Sequence, residues 1–162
     1  MAFLQIDYKS EALMRGVNIK VILPSDGMAG KWEPPYKTLY LLPGYSATAT
    51  ELITYLGLRG QSELKGIAIV LPDGENLFYQ DLPDRMTFYS TYVGKELVEV
   101  TRKMLPLSTK REDTFIGGIS MGGYGALYNG FKYRDTFSKV VAFSPASAAY
   151  MTLAEEDEPG FS

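Results

Sequence analysis

Phe115-Ile116-Gly117-Gly118-Ile119-Ser120-Met121-Gly122-Gly123-Tyr124-Gly125-Ala126 runs from an apolar, strand-like segment straight into a helical one. Its centre is Gly118-x-Ser120-x-Gly122. A serine at a sharp strand-to-helix turn lifts its hydroxyl above the sheet, and the backbone there leaves no space for side chains two positions before or after it. Gly118 and Gly122 meet that requirement. A helix that opens at the serine points its first amides toward the reacting atoms, where they stabilise a developing oxyanion. Ser120 is therefore the candidate nucleophile, and the Met121 amide is the first candidate oxyanion donor. The competing reading is a tight glycine turn with no chemistry, since chains rich in Gly and Ser match the pattern by chance. The strand before it and the helix after it favour the nucleophile.

Outward from this turn, apolar runs alternate with helical patterns, an order that predicts an α/β fold. Residues 114–119 read as a buried strand, 121–133 as a helix and 139–143 as another buried strand. Toward the N-terminus, 38–42 and 67–71 are continuous apolar runs of the kind a strand covered on both faces needs. Residues 3–8 and 17–23 alternate in part with period two, which suits an antiparallel edge with one exposed face. Thr48-Ala49-Thr50-Glu51 fits a capping box and predicts a helix from about residue 48. Val93, Leu97, Val100 and Met104 are spaced to share one face of a helix over 91–105, closed by Pro106. Residues 24–35 read as a loop and 154–162, acidic and then Pro-Gly, as a loop or frayed tail. The loop after the strand at 38–42 carries Pro43-Gly44-Tyr45-Ser46, and the Tyr45 amide is the candidate second oxyanion donor. A plain turn that ends the strand is the equal alternative.

Composition narrows the chemistry. The chain has 162 residues, 46% of them hydrophobic, enough for one domain over 1–162. With 16 Lys plus Arg against 19 Asp plus Glu, the net charge is −3, and no basic block exceeds Lys110-Arg111, which argues against nucleic acid as a partner. There is no Cys and no His, so thiolate and imidazole metal sites are excluded and neither a metal nor a cofactor is expected. No run approaches the roughly 18 apolar residues of a membrane span, and residues 1–7 do not read as a signal, so the expectation is a cytoplasmic protein with no membrane partner.

The residues resemble a known family: the esterases that include S-formylglutathione hydrolase (esterase D) and bacterial tributyrin-type esterases. Lys110 through Ala126 is the most specific match, and Leu39-Tyr40-Leu41-Leu42-Pro43-Gly44, Ile69-Val70-Leu71-Pro72-Asp73-Gly74 with Phe78-Tyr79-Gln80-Asp81, and Phe137 through Ser144 are similar to neighbouring segments. The resemblance implies an α/β-hydrolase fold with a mostly parallel central sheet flanked by helices. It also implies a serine carboxylesterase that hydrolyses small acyl esters or thioesters through an acyl-enzyme on Ser120, with Met121 and Tyr45 supplying the oxyanion hole. Pro43 stands where the family usually has His. The family's catalytic Asp and His follow later strands, so the resemblance covers only the N-terminal part of a member and implies a chain truncated at its C-terminus.

A serine hydroxyl needs a base, and in this fold the base is a His oriented by a carboxylate. Without it, the rate falls by on the order of 10⁶, so the chain alone is expected to be nearly inactive. Lys110, Lys132 and Lys139 are the nearest substitute bases in sequence, but each sits at an element end where solvation is expected. Asp135 and the acidic residues 155–158 read as a helix-end charge and a solvated tail. Phe78, Tyr79, Phe88, Tyr89 and Tyr92 read as packing between helix and sheet rather than as a substrate pocket, and Trp32 as a surface anchor. Two alternatives stand beside the esterase: a non-catalytic hydrolase-like binding module, and an acyltransferase. An uncovered sheet edge further predicts a homo-oligomer or association with a missing C-terminal part.

Overall fold

The computed structural model describes residues 1–26 and 32–146. The expected frayed tail, its acidic residues and the middle of the 24–35 loop lie outside the described residues. Strands β1 (Ala2–Ser10) and β2 (Arg15–Leu23) form an antiparallel hairpin in register from Ala2 opposite Leu23 to Ser10 opposite Arg15. Strand β3 (Lys37–Leu42) is followed by β4 (Ile67–Pro72), a two-residue pair β5 (Asp81–Leu82) and β6 (Thr87–Phe88), then β7 (Thr114–Ile119) and β8 (Lys139–Phe143). The main sheet has the order β1-β2-β4-β3-β7-β8. β3, β4, β7 and β8 are mutually parallel, while β2 meets β4 antiparallel.

Two apolar clusters, one on each face of the sheet, explain why the central strands lack alternation. Tyr40 and Leu42 of β3 pack on one side with Ile116, Val93, Leu97 and Met121, whereas Leu41 packs on the other with Leu52, Leu58, Ile69 and Leu71. Helices α1 (Ala49–Tyr55) and α2 (Leu58–Lys65) supply the second face. The first is covered by a composite helix, α3 (Tyr89–Thr91), a π-turn (Tyr92–Glu96) and α4 (Leu97–Met104), together with α5 (Met121–Lys132). Among the described residues, no helix is long and apolar enough to cross a membrane.

The capping box forms as expected, with the Glu51 amide donating to Thr48 Oγ1 at 3.3 Å and the Thr48 amide to Glu51 Oε2 at 2.8 Å. Three expectations need correction. Of the two hairpin strands only β1 is an edge; β2 lies inside the sheet and ends in buried Val21, Ile22 and Leu23. The strand at 139–143 is not buried on both faces: among the described residues β8 is the outer strand, α5 packs on it from one side only, and Val141 and Phe143 are exposed. In the long helix Val93 and Leu97 are buried, but Met104 is 46% exposed, and Val98 and Thr101 take the inner face. A π-turn holds an extra residue, which rotates the downstream turns by about 100° relative to a regular helix. Helix α2 had no apolar period to reveal it, since only Leu58 and Ser62 are buried.

Candidate active site

Strand β7 delivers its C-terminal end to the top of the sheet between β3 and β8, and Ser120 is the residue at which strand becomes helix. Its φ of 55° and ψ of −117° lie where L-residues are strained, and it caps α5 with no hydrogen bond from its side chain to the helix. The turn is held by backbone: the Ser120 amide donates to the Phe143 carbonyl at 2.9 Å, and the Ser120 carbonyl accepts from the amides of Tyr124 and Ala146, each at 3.0 Å. Both glycines are sterically required. A Cβ on Gly118 would overlap the Gly122 carbonyl, and one on Gly122 would overlap the carbonyl of Leu42. The strand, the helix start and the end of β3 are thus in mutual backbone contact.

That contact brings the second loop to the serine. A Cβ on Gly44 would lie 3.4 Å from Ser120 Cβ and 3.2 Å from the Ile119 carbonyl oxygen. Gly44 to Ala47 is a hydrogen-bonded turn, the Ala47 amide donating to the Gly44 carbonyl at 3.1 Å, with Ser46 at φ 59° in its third position. The Ser46 amide is further anchored on Asn76 Oδ1 at 2.7 Å. Tyr45 sits between these fixed points with its side chain exposed. Met121 is buried in the core, which pins the first residue of α5 beside the serine. Ser120, Met121, Gly118 and Gly122 therefore share one turn, and the Tyr45 loop abuts it. The alternative of a plain turn after β3 is true as geometry, yet this turn lies against Ser120.

Beside the loop runs a cleft of about 410 Å³ lined by Ser46, Thr48, Asn76 and Leu77 among others. A larger one of about 580 Å³ lies toward the β1–β2 hairpin, between Arg15, Glu75 and Tyr89. Neither has Ser120 in its lining.

None of the three lysines is shown engaging Ser120. Lys132 donates to Ser90 Oγ at 2.9 Å and pairs with Asp81 at 3.5 Å, Lys139 lies over the Phe115 ring, and Lys110 is exposed. Asp135 is exposed beyond α5. Trp32 anchors rather than covers: its Nε1 donates to the Glu63 carbonyl at 2.7 Å, and its indole fills the space over Gly66. Phe78, Tyr79, Tyr89 and Tyr92 are buried core, as expected, and Phe88 is half-buried. Sequence reasoning missed one polar group beneath the site. Asn129 of α5 is fully buried, donating to the carbonyls of Tyr79 and Gly125 and accepting from Ser90 Oγ at 2.7 Å. A lone Asn among the small and apolar residues of α5 was the available signal.

Residues 10–159 match the family described as "Putative esterase". The acetyl esterase of Caldicellulosiruptor saccharolyticus is 40% identical over 151 residues, covering 90% of this chain and 57% of its own length. The S-formylglutathione hydrolase of Paracoccus denitrificans (strain Pd 1222) is 29% identical over 162 residues, with 85% and 55% covered. The chain thus spans little more than half the length of these relatives. Among solved structures, the substrate-bound fluorophosphonate-binding serine hydrolase F of Staphylococcus aureus superposes with a TM-score of 0.84 at 28% identity, covering 99% of this chain and 62% of that one. The S-formylglutathione hydrolase of the same organism gives 0.77 at 30% identity, with 89% and 57% covered. On this agreement of sequence and architecture, the chain belongs to the esterase family of that description and has the α/β-hydrolase fold.

Proposed function

We propose that this chain carries the nucleophile of a serine carboxylesterase acting on small acyl esters or thioesters. The observation that carries the reading is the conformation of Ser120: a positive-φ residue at a strand-to-helix turn, packed between two glycines that tolerate no side chain. Its relatives, an acetyl esterase and an S-formylglutathione hydrolase, support the substrate class. In the proposed reaction Ser120 Oγ attacks the acyl carbon and passes its proton to a base. The oxyanion is held by the Met121 and Tyr45 amides, and its collapse expels the alcohol or thiol. Water then releases the acid from the acyl-serine. The 162 residues contain no His, so no histidine base is among them, and without a base Ser120 turns over slower by on the order of 10⁶.

The same absence of His, with Pro43 in the loop, favours a second reading as a non-catalytic binding module. Incubation with a fluorophosphonate of a protein that carries the base together with these residues, followed by peptide mapping, separates the two. The esterase reading expects a single adduct on Ser120 that Ser120→Ala abolishes. An adduct elsewhere, or labelling undiminished in Ser120→Ala, overturns it.

A further inference from the structure

We infer that Tyr79 is a positioning residue for the oxyanion loop, acting through the carbonyl of Pro43; the inference rests on the roles given above to Ser120 and Tyr45. The Tyr79 hydroxyl donates to the Pro43 carbonyl oxygen at 2.7 Å in a buried setting. Pro43 precedes Gly44, which touches Ser120, and Gly44 precedes Tyr45. The peptide plane between Pro43 and Gly44 is rigid, so fixing its oxygen fixes the plane from which the chain enters the Tyr45 turn. The other end of that turn is fixed independently by Asn76 on the Ser46 amide. The proposed donor therefore lies between two anchored peptides, with little freedom to tilt away from an oxyanion.

The surroundings of Tyr79 are built for this contact. A Cβ on Gly74 would overlap the Tyr79 hydroxyl, and a Cβ on Gly125 would overlap its ring, so two glycines leave the slot the phenol occupies. Gly125 lies in the helix that Ser120 opens, which ties the brace to the nucleophile turn. The chain enters the slot at a cost: Phe78 and Tyr79 both have φ of 56° in a turn from Leu77 to Gln80, where glycine would be the easy residue. The buried Asn129 amide holds that turn by donating to the Tyr79 carbonyl at 3.1 Å. Burial also pushes the phenol well above its ordinary range, in the direction that keeps the donating proton on the oxygen. A tyrosine needed only as apolar filling would call for neither the aimed hydroxyl nor the Gly74 gap beneath it.

The test compares Tyr79→Phe with Tyr89→Phe in a protein that carries the base together with these residues. Both keep the ring and lose the hydroxyl, but the Tyr89 hydroxyl meets the Arg15 side chain and the Glu75 backbone rather than the oxyanion loop. Amide hydrogen exchange at Gly44 and Tyr45 is expected to quicken roughly tenfold in Tyr79→Phe, and fluorophosphonate labelling of Ser120 to slow by about the same factor. Tyr89→Phe is expected to change neither. Exchange at Gly44 and Tyr45 equal to wild type in Tyr79→Phe overturns the brace, as does quickened exchange with an unaltered labelling rate. Quickened exchange in a protein whose wild type takes no label on Ser120 supports the brace and overturns the nucleophile assignment instead.

Discussion

Ser120 has a side chain in a sparsely populated backbone conformation that disfavours one by roughly 1–3 kcal/mol. The turn persists because Gly118, Gly122 and Gly44 allow three backbones to meet around it. Glycine has opposite meanings elsewhere in the chain. Gly60, inside α2, has open space where a Cβ would go. Gly60→Ala is accordingly expected to stabilise by about 0.5–1 kcal/mol, through helix propensity and a less free unfolded chain. Gly122→Ala must displace the end of β3 and is expected to destabilise by roughly 1–3 kcal/mol. Urea midpoints of the two variants should move in opposite directions; a shared direction would refute the steric account of the turn.

Among the elements, α1 depends on its start. It spans only Ala49–Tyr55, too short to be stable alone, and buries just Ala49 and Leu52. The Thr48–Glu51 capping box and Asp73 Oδ1, which accepts from the Ala49 amide at 2.6 Å, satisfy its first amides. Thr48→Ala is expected to cost about 1 kcal/mol in chemical denaturation. Amide exchange in that variant should quicken in α1 and not in α5, whose start is held by the β7 turn. The composite helix shows the reverse dependence, on tertiary contacts. Its π-turn sets Gly94 against the Tyr133 ring and places Thr101 Oγ1 2.8 Å from the Tyr40 hydroxyl.

Over the whole molecule, an aromatic core gives the stability a defined pH limit. Burial pushes the Tyr8, Tyr40 and Tyr89 phenols up from 10.0 to about 12, and Tyr92 further in the same direction. The unfolded chain releases these protons near pH 10, while the folded chain keeps them. Their contribution is thus complete below about pH 10 and lost as pH rises from there toward 12. Denaturant midpoints are expected to be insensitive to these groups at neutral pH and to fall steeply above pH 10, with ionisation of these four rings, followed by their ring NMR signals, appearing together with unfolding. Ionisation of Tyr8, Tyr40, Tyr89 or Tyr92 near pH 10 in a still folded protein would contradict the burial of these rings.

Much of this architecture was legible along the chain, because the rules involved are local. Continuous apolar runs marked β3, β4 and β7, the capping box marked α1, and Gly118-x-Ser120-x-Gly122 marked the bend at which β7 becomes α5. A strand buried on both faces and a bend too tight for side chains leave their mark on the residues that form them. What the sequence withheld depends on neighbours distant in the chain. The exposure of one face of β8 comes from α5 packing on the other, and the turned face of α4 from an inserted π-turn. Likewise the hydroxyl of Tyr79 meets Pro43 across 36 positions. Whether a tyrosine is apolar filling or a directed donor depends on the group at the end of its ring, and only the folded chain brings that partner there.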